Sequence, residues 1–528
     1  MGDRWSGAGW QQALLGGVLA GLALAPPAVP GLQLAAVPLL WLALALLWQL
    51  QERPASGRLA ALWGGLAVVL SHRWLLALHP LDWIGVPLPL SLPLCWLLLL
   101  GCGALAALLL LLWSALARRL GPRRPSTALL LAALWGLVEV LLARGPLFWF
   151  GLGAAALPGN PALAGLAALG GSGLVAALQL LIGWGLWRLL ERRPDWRSWS
   201  GAALLLVALH GLGAAQLQAG GMAAAPAGAP VGEPPSERVL LVQPAVPTRE
   251  KQQWPARRRL ERQLLAALEQ AEAAGADLVL LPEGALGLEP LLAEPTPVEL
   301  ISGGFRWAAR SGANGGANND EQRSALLRFA PGERRFSAAL DKHRLVPLGE
   351  WVPFSGLVRW SGLSAVGGVA PGAPSRLLPR PPAAPALAGA ICYEIADGTA
   401  LRRAVRDGAG WLLASANLDP YPPLLQRQFT ALAQLRAIES GRWLVSVANT
   451  GPSQLIDPAG RVERSLPAGV PATGLVTVPA LGGLTPYGRW GELPLLGLGL
   501  AAGGWRMIKK RNASCRNGAS PCSDGGTR

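Results

Sequence analysis

Three short stretches in the second half of the chain decide its fold: Leu-Leu-Pro-Glu at 280–283, Asp-Lys-His-Arg-Leu-Val-Pro-Leu-Gly-Glu at 341–350, and Gly-Ala-Ile-Cys-Tyr-Glu at 389–394. Each follows an apolar run, and together they supply one carboxylate, one amine and one thiol. Loops at strand ends carry the chemistry of α/β folds because they can converge while the sheet stays rigid. The pattern therefore predicts an α/β domain in which these three groups meet.

The three groups are Glu283, Lys342 and Cys392, and their chemistry is complementary. A free thiol has a pKa of about 8.5 and is a poor nucleophile until it loses its proton. A carboxylate can take that proton and later return it, and an ammonium can stabilise an oxyanion. Glu350, eight residues after Lys342, could orient the amine. A lone cysteine at a strand end is more often a small buried hydrophobe, so the prediction rests on all three together.

The chain around these stretches alternates between short apolar runs and amphipathic segments, which favours an α/β sandwich with mixed sheets. Predicted strands lie at 238–243, 277–281, 324–330, 336–340, 386–392, 411–415, 443–448 and 473–478, and predicted helices lie at 256–274 and 425–440.

Composition divides the chain into two bodies. Of 528 residues, 52% are hydrophobic and 15% are charged, whereas about a quarter are charged in a typical soluble domain. The long apolar runs lie almost entirely before residue 218, so one body is predicted in lipid and the other in water. The four histidines and five cysteines show no metal-ligand spacing and no disulfide framework, and no phosphate-binding loop is present. No metal and no cofactor are expected.

Apolar runs long enough to span a bilayer, about 20 residues, predict about eight transmembrane helices. They lie at 11–29, 31–50, 58–78, 87–116, 126–144, 161–187, 199–217 and 489–507. We expect the first run to be retained, because Pro26 directly follows the Ala-Leu-Ala that resembles a signal-peptide cleavage site. Glu139 and Arg73, within or near spans, are assigned structural roles in preference to functional ones.

The basic residues predict the orientation. The net charge is +15, and arginine clusters follow spans two, four, six and eight, whereas the loops at 79–86 and 145–160 contain no Lys or Arg. Such asymmetry is a topology signal and argues against a nucleic-acid surface. Both termini are therefore predicted in the cytoplasm, with the domain at 220–488 on the outer face of the membrane.

The predicted organisation has five parts. A seven-helix transmembrane region covers 1–217, a linker 218–236, the extracytoplasmic catalytic domain 237–482, a connector with the last helix 483–508, and a basic cytoplasmic tail 509–528. The Gly- and Asn-rich stretch at 310–320 is interpreted as a surface insertion, with a mobile lid as the alternative.

These motifs resemble the apolipoprotein N-acyltransferases, a membrane-embedded branch of the nitrilase superfamily. The resemblance rests on Leu-Leu-Pro-Glu283, Lys-His-Arg-Leu-Val-Pro-Leu-Gly-Glu-Trp-Val-Pro-Phe at 342–354, and Ile-Cys-Tyr-Glu at 391–394, with seven spans before and one after. It implies an α-β-β-α sandwich beside a helical bundle, in a multi-pass protein of the bacterial plasma membrane with its catalytic domain on the periplasmic side. It also implies transfer of an acyl chain from a phospholipid, through a cysteine thioester, to the α-amino group of the diacylglyceryl-cysteine of a lipoprotein.

Carried over by motif, Cys392 is the nucleophile, Glu283 the base and Lys342 the oxyanion stabiliser. Glu350 matches a second glutamate of the family, and Tyr393 and Glu394 follow the nucleophile as supporting residues. Trp254 matches a tryptophan that the family places near the lipid entrance. The chain departs from the family pattern at 417–421, at Arg323 and around Glu139, in loops that would contact substrates.

Two alternatives from other classes remain open. A membrane-tethered nitrilase-like amidase would use the same three residues, with water resolving the thioester. Exposed aromatic residues near the mouth of the site, such as Trp254, Trp351 and Phe354, would favour a lipid substrate over the amidase alternative. A catalytically inactive scaffold or transporter is disfavoured by the intact Glu, Lys and Cys and by the lack of paired intramembrane charges.

Overall fold

A computed structural model describes residues 7–82, 85–192, 195–221, 234–251, 253–309, 320–347, 350, 368–419 and 421–516. Of the stretch at 310–320, interpreted as a surface insertion with a mobile lid as the alternative, residues 310–319 lie outside these ranges, and so do the aromatic residues Trp351 and Phe354.

The first half of the chain forms a helical bundle. Its helices are α1 (Gly7–Leu24), α2 (Pro30–Leu50), α3 (Ser56–Ser71), α4 (Leu88–Leu120), α5 (Pro125–Ala143), the single turn α6 (Pro161–Ala164), α7 (Ala167–Arg192) and α8 (Trp196–Gly221). A 3-10 turn at Arg73–Leu78 follows α3. Within the described residues, five helices are long and apolar enough to cross a membrane, and the helices at Ala8–Leu24, Ser56–Ser71 and Leu493–Ile508 are apolar but shorter.

Prolines set several of the helix ends. The run predicted at 11–29 is helical only to Leu24, because Pro26 and Pro27 cannot continue the backbone hydrogen bonds. Pro30 and Pro125 each occupy the first turn of a helix, where the missing N–H is not needed. At the other end of the bundle, α8 runs to Gly221, so the first residues of the predicted linker are helical.

The second half forms two sheets with helices on their outer faces. The strands are β1 (Ser236–Gln243), β2 (Leu278–Leu281), β3 (Glu299–Ala309), β4 (Asp320–Phe329), β5 (Ala338–Asp341), β6 (Leu387–Ile391), β7 (Trp411–Ala416), β8 (Leu444–Ala448), β9 (Gln454–Ile456), β10 (Val462–Ser465) and β11 (Ala472–Pro479). The helices are α9 (Trp254–Ala273), α10 (Gly398–Arg406), α11 (Pro423–Ser440), α12 (Pro486–Trp490) and α13 (Leu493–Arg516).

The strand order is β11-β1-β2-β3-β4-β5 in one sheet and β10-β9-β8-β7-β6 in the other. Both sheets mix parallel and antiparallel pairs, as the alternation of elements predicts. Apolar side chains of the two sheets, including Leu241, Leu280, Ile391 and Leu413, form one core between them. Helix α9 covers the outer face of the six-stranded sheet, which gives the α-β-β-α sandwich its first layer.

Helix α11 lies between the five-stranded sheet and the bundle. Its Leu432 and Leu435 belong to one apolar core that also contains residues of α2 and α7. Because both of its faces are covered, all but four of its 18 residues are buried. This helix packs the α/β domain against the bundle.

Candidate active site

The three predicted catalytic side chains leave the ends of three strands from both sheets. Glu283 follows β2 after a proline, and Lys342 directly follows β5, both in the six-stranded sheet. Cys392 directly follows β6 of the five-stranded sheet and has a positive φ of 55°. Positive φ is uncommon in a residue with a side chain and clusters at functional sites, where the surrounding structure enforces it.

Lys342 lies between two carboxylates. Its Nζ donates to Glu283 Oε1 at 2.7 Å and to Glu350 Oε1 at 2.9 Å, and the residue is 1% exposed. The second oxygen of each carboxylate is held by a main-chain N–H, from Asn417 at 3.0 Å to Glu283 and from Val346 at 2.9 Å to Glu350. The amine and both acids are therefore fixed in orientation.

The charges at rest follow from burial and from these contacts. Burial disfavours the charge on Lys342, but the two carboxylates outweigh it and raise the pKa of Lys342 well above its usual value. Burial alone would raise the pKa of Glu283, but the charge and hydrogen bond of Lys342 bring it below its usual value. Burial, and then the charge of Glu283, raises the pKa of the Cys392 thiol well above its usual value.

The resting site therefore contains an ammonium, an ionised Glu283 and a neutral thiol beside that carboxylate. A thiol with a raised pKa does not ionise by itself at neutral pH. The geometry suits a proton transfer from sulfur to Glu283 that accompanies the attack on a carbonyl.

Glu394 holds the chain on both sides of the site. Its side chain is 3% exposed and accepts hydrogen bonds from the main-chain N–H groups of His343 at 2.8 Å, Arg344 at 3.0 Å and Ile391 at 2.9 Å. Arg376 pairs with it at 2.8 Å. Glu394 thus positions the residues next to Lys342 and Cys392 without reaching the site itself.

Tyr393 closes the side of the site that faces the loop after β5. Its hydroxyl donates to the main-chain oxygen of Leu345, and the guanidinium of Arg344 lies 4.8 Å from the centre of its ring. The side chain of Arg344 also donates to the main-chain oxygen of Gly145 in the bundle. Tyr393 is therefore part of the contact between the catalytic domain and the bundle.

The thiol opens into an apolar cavity of about 120 Å³ that both bodies line. The catalytic domain contributes aromatic and aliphatic side chains such as Tyr421, Leu425 and Phe429, and the bundle contributes others such as Trp74 and Phe148. The cavity continues from Cys392 to Cys102 of α4. Its apolar lining suits the part of an apolar chain next to a reacting carbonyl.

Trp254 lies apart from this cavity. It begins α9, is 65% exposed, and stacks under the guanidinium of Arg258, which lies 4.1 Å from its ring centre. Among the described residues it does not line the space next to Cys392. Its assignment to the lipid entrance stays a prediction from the resemblance.

Sequence reasoning missed three polar residues of the site. Asn417 fixes Glu283 through a main-chain N–H, which any residue type supplies, so its side chain gave no signal. Arg376 sits in an irregular segment with no periodicity. Lys251 donates to Gly284 O at 3.3 Å, and burial lowers its pKa to about 8 while the charges of Glu283 and Asp419 oppose that shift. Only the fold brings Lys251 to Glu283.

Comparison with known proteins places this geometry in context. The chain is 48% identical over 506 residues to a protein named apolipoprotein N-acyltransferase from Prochlorococcus marinus, covering 93% of this chain and 94% of that one. It is 49% identical to a protein of the same name from Parasynechococcus marenigrum, covering 90% and 96%. No protein-family model matches the chain.

Among solved structures, the chain is similar to a nitrilase-superfamily protein of Saccharomyces cerevisiae, with 14% identity and a TM-score of 0.35, covering 47% of this chain and 91% of that one. An amidase from Nesterenkonia gives 17% identity and a TM-score of 0.32, covering 46% and 90%.

Proposed function

Because the chain belongs to the apolipoprotein N-acyltransferase family, an acyltransferase family of bacterial membranes that acts on lipoproteins, we propose that its acyl donor is a membrane phospholipid and that the acyl group passes through a thioester on Cys392. The acceptor in this proposal is the α-amino group of the N-terminal diacylglyceryl-cysteine. One observation carries it: the apolar cavity at Cys392 is lined by the bundle as well as by the catalytic domain.

In the first half-reaction, Cys392 Sγ attacks the ester carbonyl of the phospholipid and Glu283 takes the thiol proton. The negative charge that develops on the carbonyl oxygen is stabilised by the ammonium of Lys342, which Glu350 holds in place. When the tetrahedral intermediate collapses, the C–O bond breaks and protonated Glu283 gives its proton to the leaving alkoxide. The products are a lysophospholipid and an acyl thioester.

In the second half-reaction, the amine of the diacylglyceryl-cysteine attacks the thioester carbonyl, and Glu283 takes a proton from the nitrogen. The C–S bond then breaks, the thiolate regains a proton from Glu283, and an amide is released. Conversion of an ester to an amide through a thioester requires no nucleotide. Both substrates are lipid-anchored, so a site held at the membrane surface raises their effective concentration.

The orientation and the domain limits are part of the proposal. Basic clusters on one side of the bundle support cytoplasmic termini and a catalytic domain on the periplasmic side. The sandwich at 237–482 supplies the catalytic groups, and the bundle at 1–217 with the last helix supplies the membrane anchor and part of the cavity.

Intact-mass analysis of the purified protein after incubation with phospholipid tests the proposal, with Cys392→Ala as the control. We expect one added acyl mass on the wild type, none on the variant, and loss of the adduct when a diacylglyceryl-cysteine peptide is added and becomes N-acylated. Release of free fatty acid at the same rate without the peptide would identify a hydrolase instead. No adduct from any phospholipid would contradict the role of Cys392.

A further inference from the structure

Two arginines lie side by side where the bundle meets the catalytic domain. Arg73 begins the 3-10 turn after α3, and Arg427 lies in the first turns of α11. Arg73 donates to Ala25 O at 3.3 Å, and Arg427 donates to the next carbonyl, Pro26 O, at 3.1 Å. The two guanidiniums therefore converge on one short segment between α1 and α2.

The charge of this pair is not balanced by the protein. Within the described part of the chain, both guanidiniums donate only to main-chain oxygens, and neither forms an ion pair with a carboxylate. The Nε of Arg427 is buried and has no partner. Burial and then the charge of Arg73 lower the pKa of Arg427, as expected for neighbouring like charges. An anion bound between them would remove this repulsion.

Arg427 lines a groove of about 340 Å³ with two different walls, and so do Ala25 and Pro26, whose carbonyls accept from Arg73 and Arg427. One wall is apolar and belongs to the bundle, with Leu24, Ala36 and Phe150; the other is polar and belongs to α11, with Arg427, Gln428 and Gln434. Gln428 is 3% exposed, and its Oε1 has no hydrogen-bond partner. An apolar wall beside a basic and amide-rich wall suits a ligand that carries both an anionic group and hydrocarbon.

The groove is next to the cavity of the thiol. Leu424 lines the groove, its neighbour Leu425 lines the cavity at Cys392, and Trp74, directly after Arg73, packs with both. The groove and the cavity therefore share a wall that Leu424, Leu425 and Trp74 form. In a glycerophospholipid, the phosphodiester and the ester carbonyls are separated only by the glycerol backbone.

We infer that Arg73 and Arg427 bind the phosphodiester of the phospholipid donor, with the side chain of Gln428 facing its head group. This inference rests on the proposed function and adds the group on the donor that the enzyme recognises. Guanidiniums suit this task because their planar N–H donors match phosphate oxygens in pairs. The diacylglyceryl-cysteine acceptor carries no phosphate, so the pair serves the first half-reaction only.

Single-turnover acylation of Cys392 tests the inference with two donors that carry the same acyl chains, phosphatidylethanolamine and uncharged diacylglycerol. We expect Arg73→Gln/Arg427→Gln to raise the half-saturating concentration of the phospholipid by about tenfold or more, the value of one charge-assisted contact. The reaction with diacylglycerol, and transfer from the preformed thioester to the peptide, should be unchanged. The matched control is Arg249→Gln, which also removes a guanidinium bonded to a bundle carbonyl, Pro80 O.

Equal loss with both donors would show that the arginines only support the structure and would overturn the inference, as would no loss with either donor. Millimolar inorganic phosphate distinguishes a lipid from a free anion: we expect no inhibition, and competition with phosphatidylethanolamine would assign the site to free phosphate.

Retention of phosphatidylethanolamine by the Cys392→Ala protein, measured by native mass spectrometry, gives a readout without chemistry. It should fall in the double arginine variant. Suppose that the wild type formed no thioester, but that the double arginine substitution still lowered the retention of phosphatidylethanolamine. The proposed function would then fail, and the lipid site would stand.

Discussion

At the scale of single residues, the site keeps its nucleophile protonated until substrate arrives. Burial and the neighbouring Glu283 raise the pKa of Cys392, while Lys342 opposes this shift. The carboxylate that activates the thiol during attack therefore also suppresses the free thiolate at rest. This arrangement limits oxidation and alkylation of the resting enzyme, because the thiolate is the reactive species.

Glu283→Gln should have opposite effects on catalysis and on thiol reactivity. We expect acylation to slow by about 10²–10⁴-fold through loss of the base. Alkylation of Cys392 by iodoacetamide at pH 8 should become faster, because removal of the negative charge lowers the pKa of the thiol. Lys342→Met should slow both reactions. The other cysteines are replaced in all of these variants, so that labelling reports on Cys392 alone. Slower alkylation of the Glu283→Gln variant would contradict the assigned charges.

The pH profile of acylation should follow Glu283. Its pKa lies below the usual value, so the ionised base persists to lower pH than in a free glutamate and is lost only as pH falls through that lowered pKa. When the protein is exposed to acid only briefly, we expect the rate of acylation to fall below about pH 4.3. A limb near neutrality would mean that a different group is the base.

The three groups that the structure brings together were predictable from the sequence, and the residues that hold them in place were not. Glu283, Lys342 and Cys392 each follow an apolar run with a distinctive local pattern. Arg376 and Lys251 lie in irregular segments, and the residues that they bond at the site, Glu394 and Gly284, are 18 and 33 residues away in the chain. Hydrogen bonds of this kind depend on the path of the chain between the partners, which local patterns do not specify.

At the scale of elements, β3 is the longest strand that the sequence patterns did not predict, and it packs against Glu283. Its first half reads Glu-Leu-Ile-Ser-Gly-Gly, in which two glycines and two polar residues conceal the strand pattern. The glycine at 303 is needed for space: a Cβ there would lie 2.4 Å from Glu283 Cα and 2.6 Å from Pro282 O. The short strands β9 and β10 were missed as well, because each offers too few residues for periodicity. Helix α10 was also missed, although its buried Leu401, Ala404 and Val405 follow helical spacing.

Gly303→Ala should displace the backbone of Glu283 and slow acylation by about 100-fold, because a shift of about 1 Å in a catalytic group has effects of that size. The control is Gly287→Ala, where an added Cβ meets nothing within 4 Å. Single-turnover rates and the yield of folded protein in detergent would be compared. Equal rates for the two variants would show that the base tolerates the displacement.

At the scale of the whole molecule, catalytic domain and bundle are joined by polar contacts as well as by α11. Gln428 donates to Leu24 O and to Ser71 O, both at 3.3 Å, and Glu439 accepts from Ser172 N at 2.7 Å. Composition predicted the two bodies, and the strand and helix patterns predicted most of their elements. The apolar residues of α11 did not reveal that it faces a second core. In a helix of this length, the sequence pattern of burial on one face differs little from the pattern of burial on both faces.

The proposed orientation can be measured with a membrane-impermeant maleimide on spheroplasts. Arg464→Cys in the exposed strand β10 should be labelled in intact spheroplasts, and Arg119→Cys at the end of α4 only after permeabilisation. Both variants also carry Cys515→Ser and Cys522→Ser, so that these two cysteines are not labelled. The remaining cysteines, Cys95, Cys102 and Cys392, are buried. Labelling of both positions, or the reverse pattern, would contradict the charge-based topology.

The shared cavity also bears on how inhibitors of this enzyme could be found. Trp74, Leu98 and Phe148 of the bundle line the cavity at the thiol, so a preparation of the α/β domain alone would lack this wall. Compounds selected on such a surrogate would be fitted to the catalytic groups alone and would carry over their reactivity toward other thiol enzymes. Screening against the intact protein in a bilayer would instead select for the walls that distinguish it.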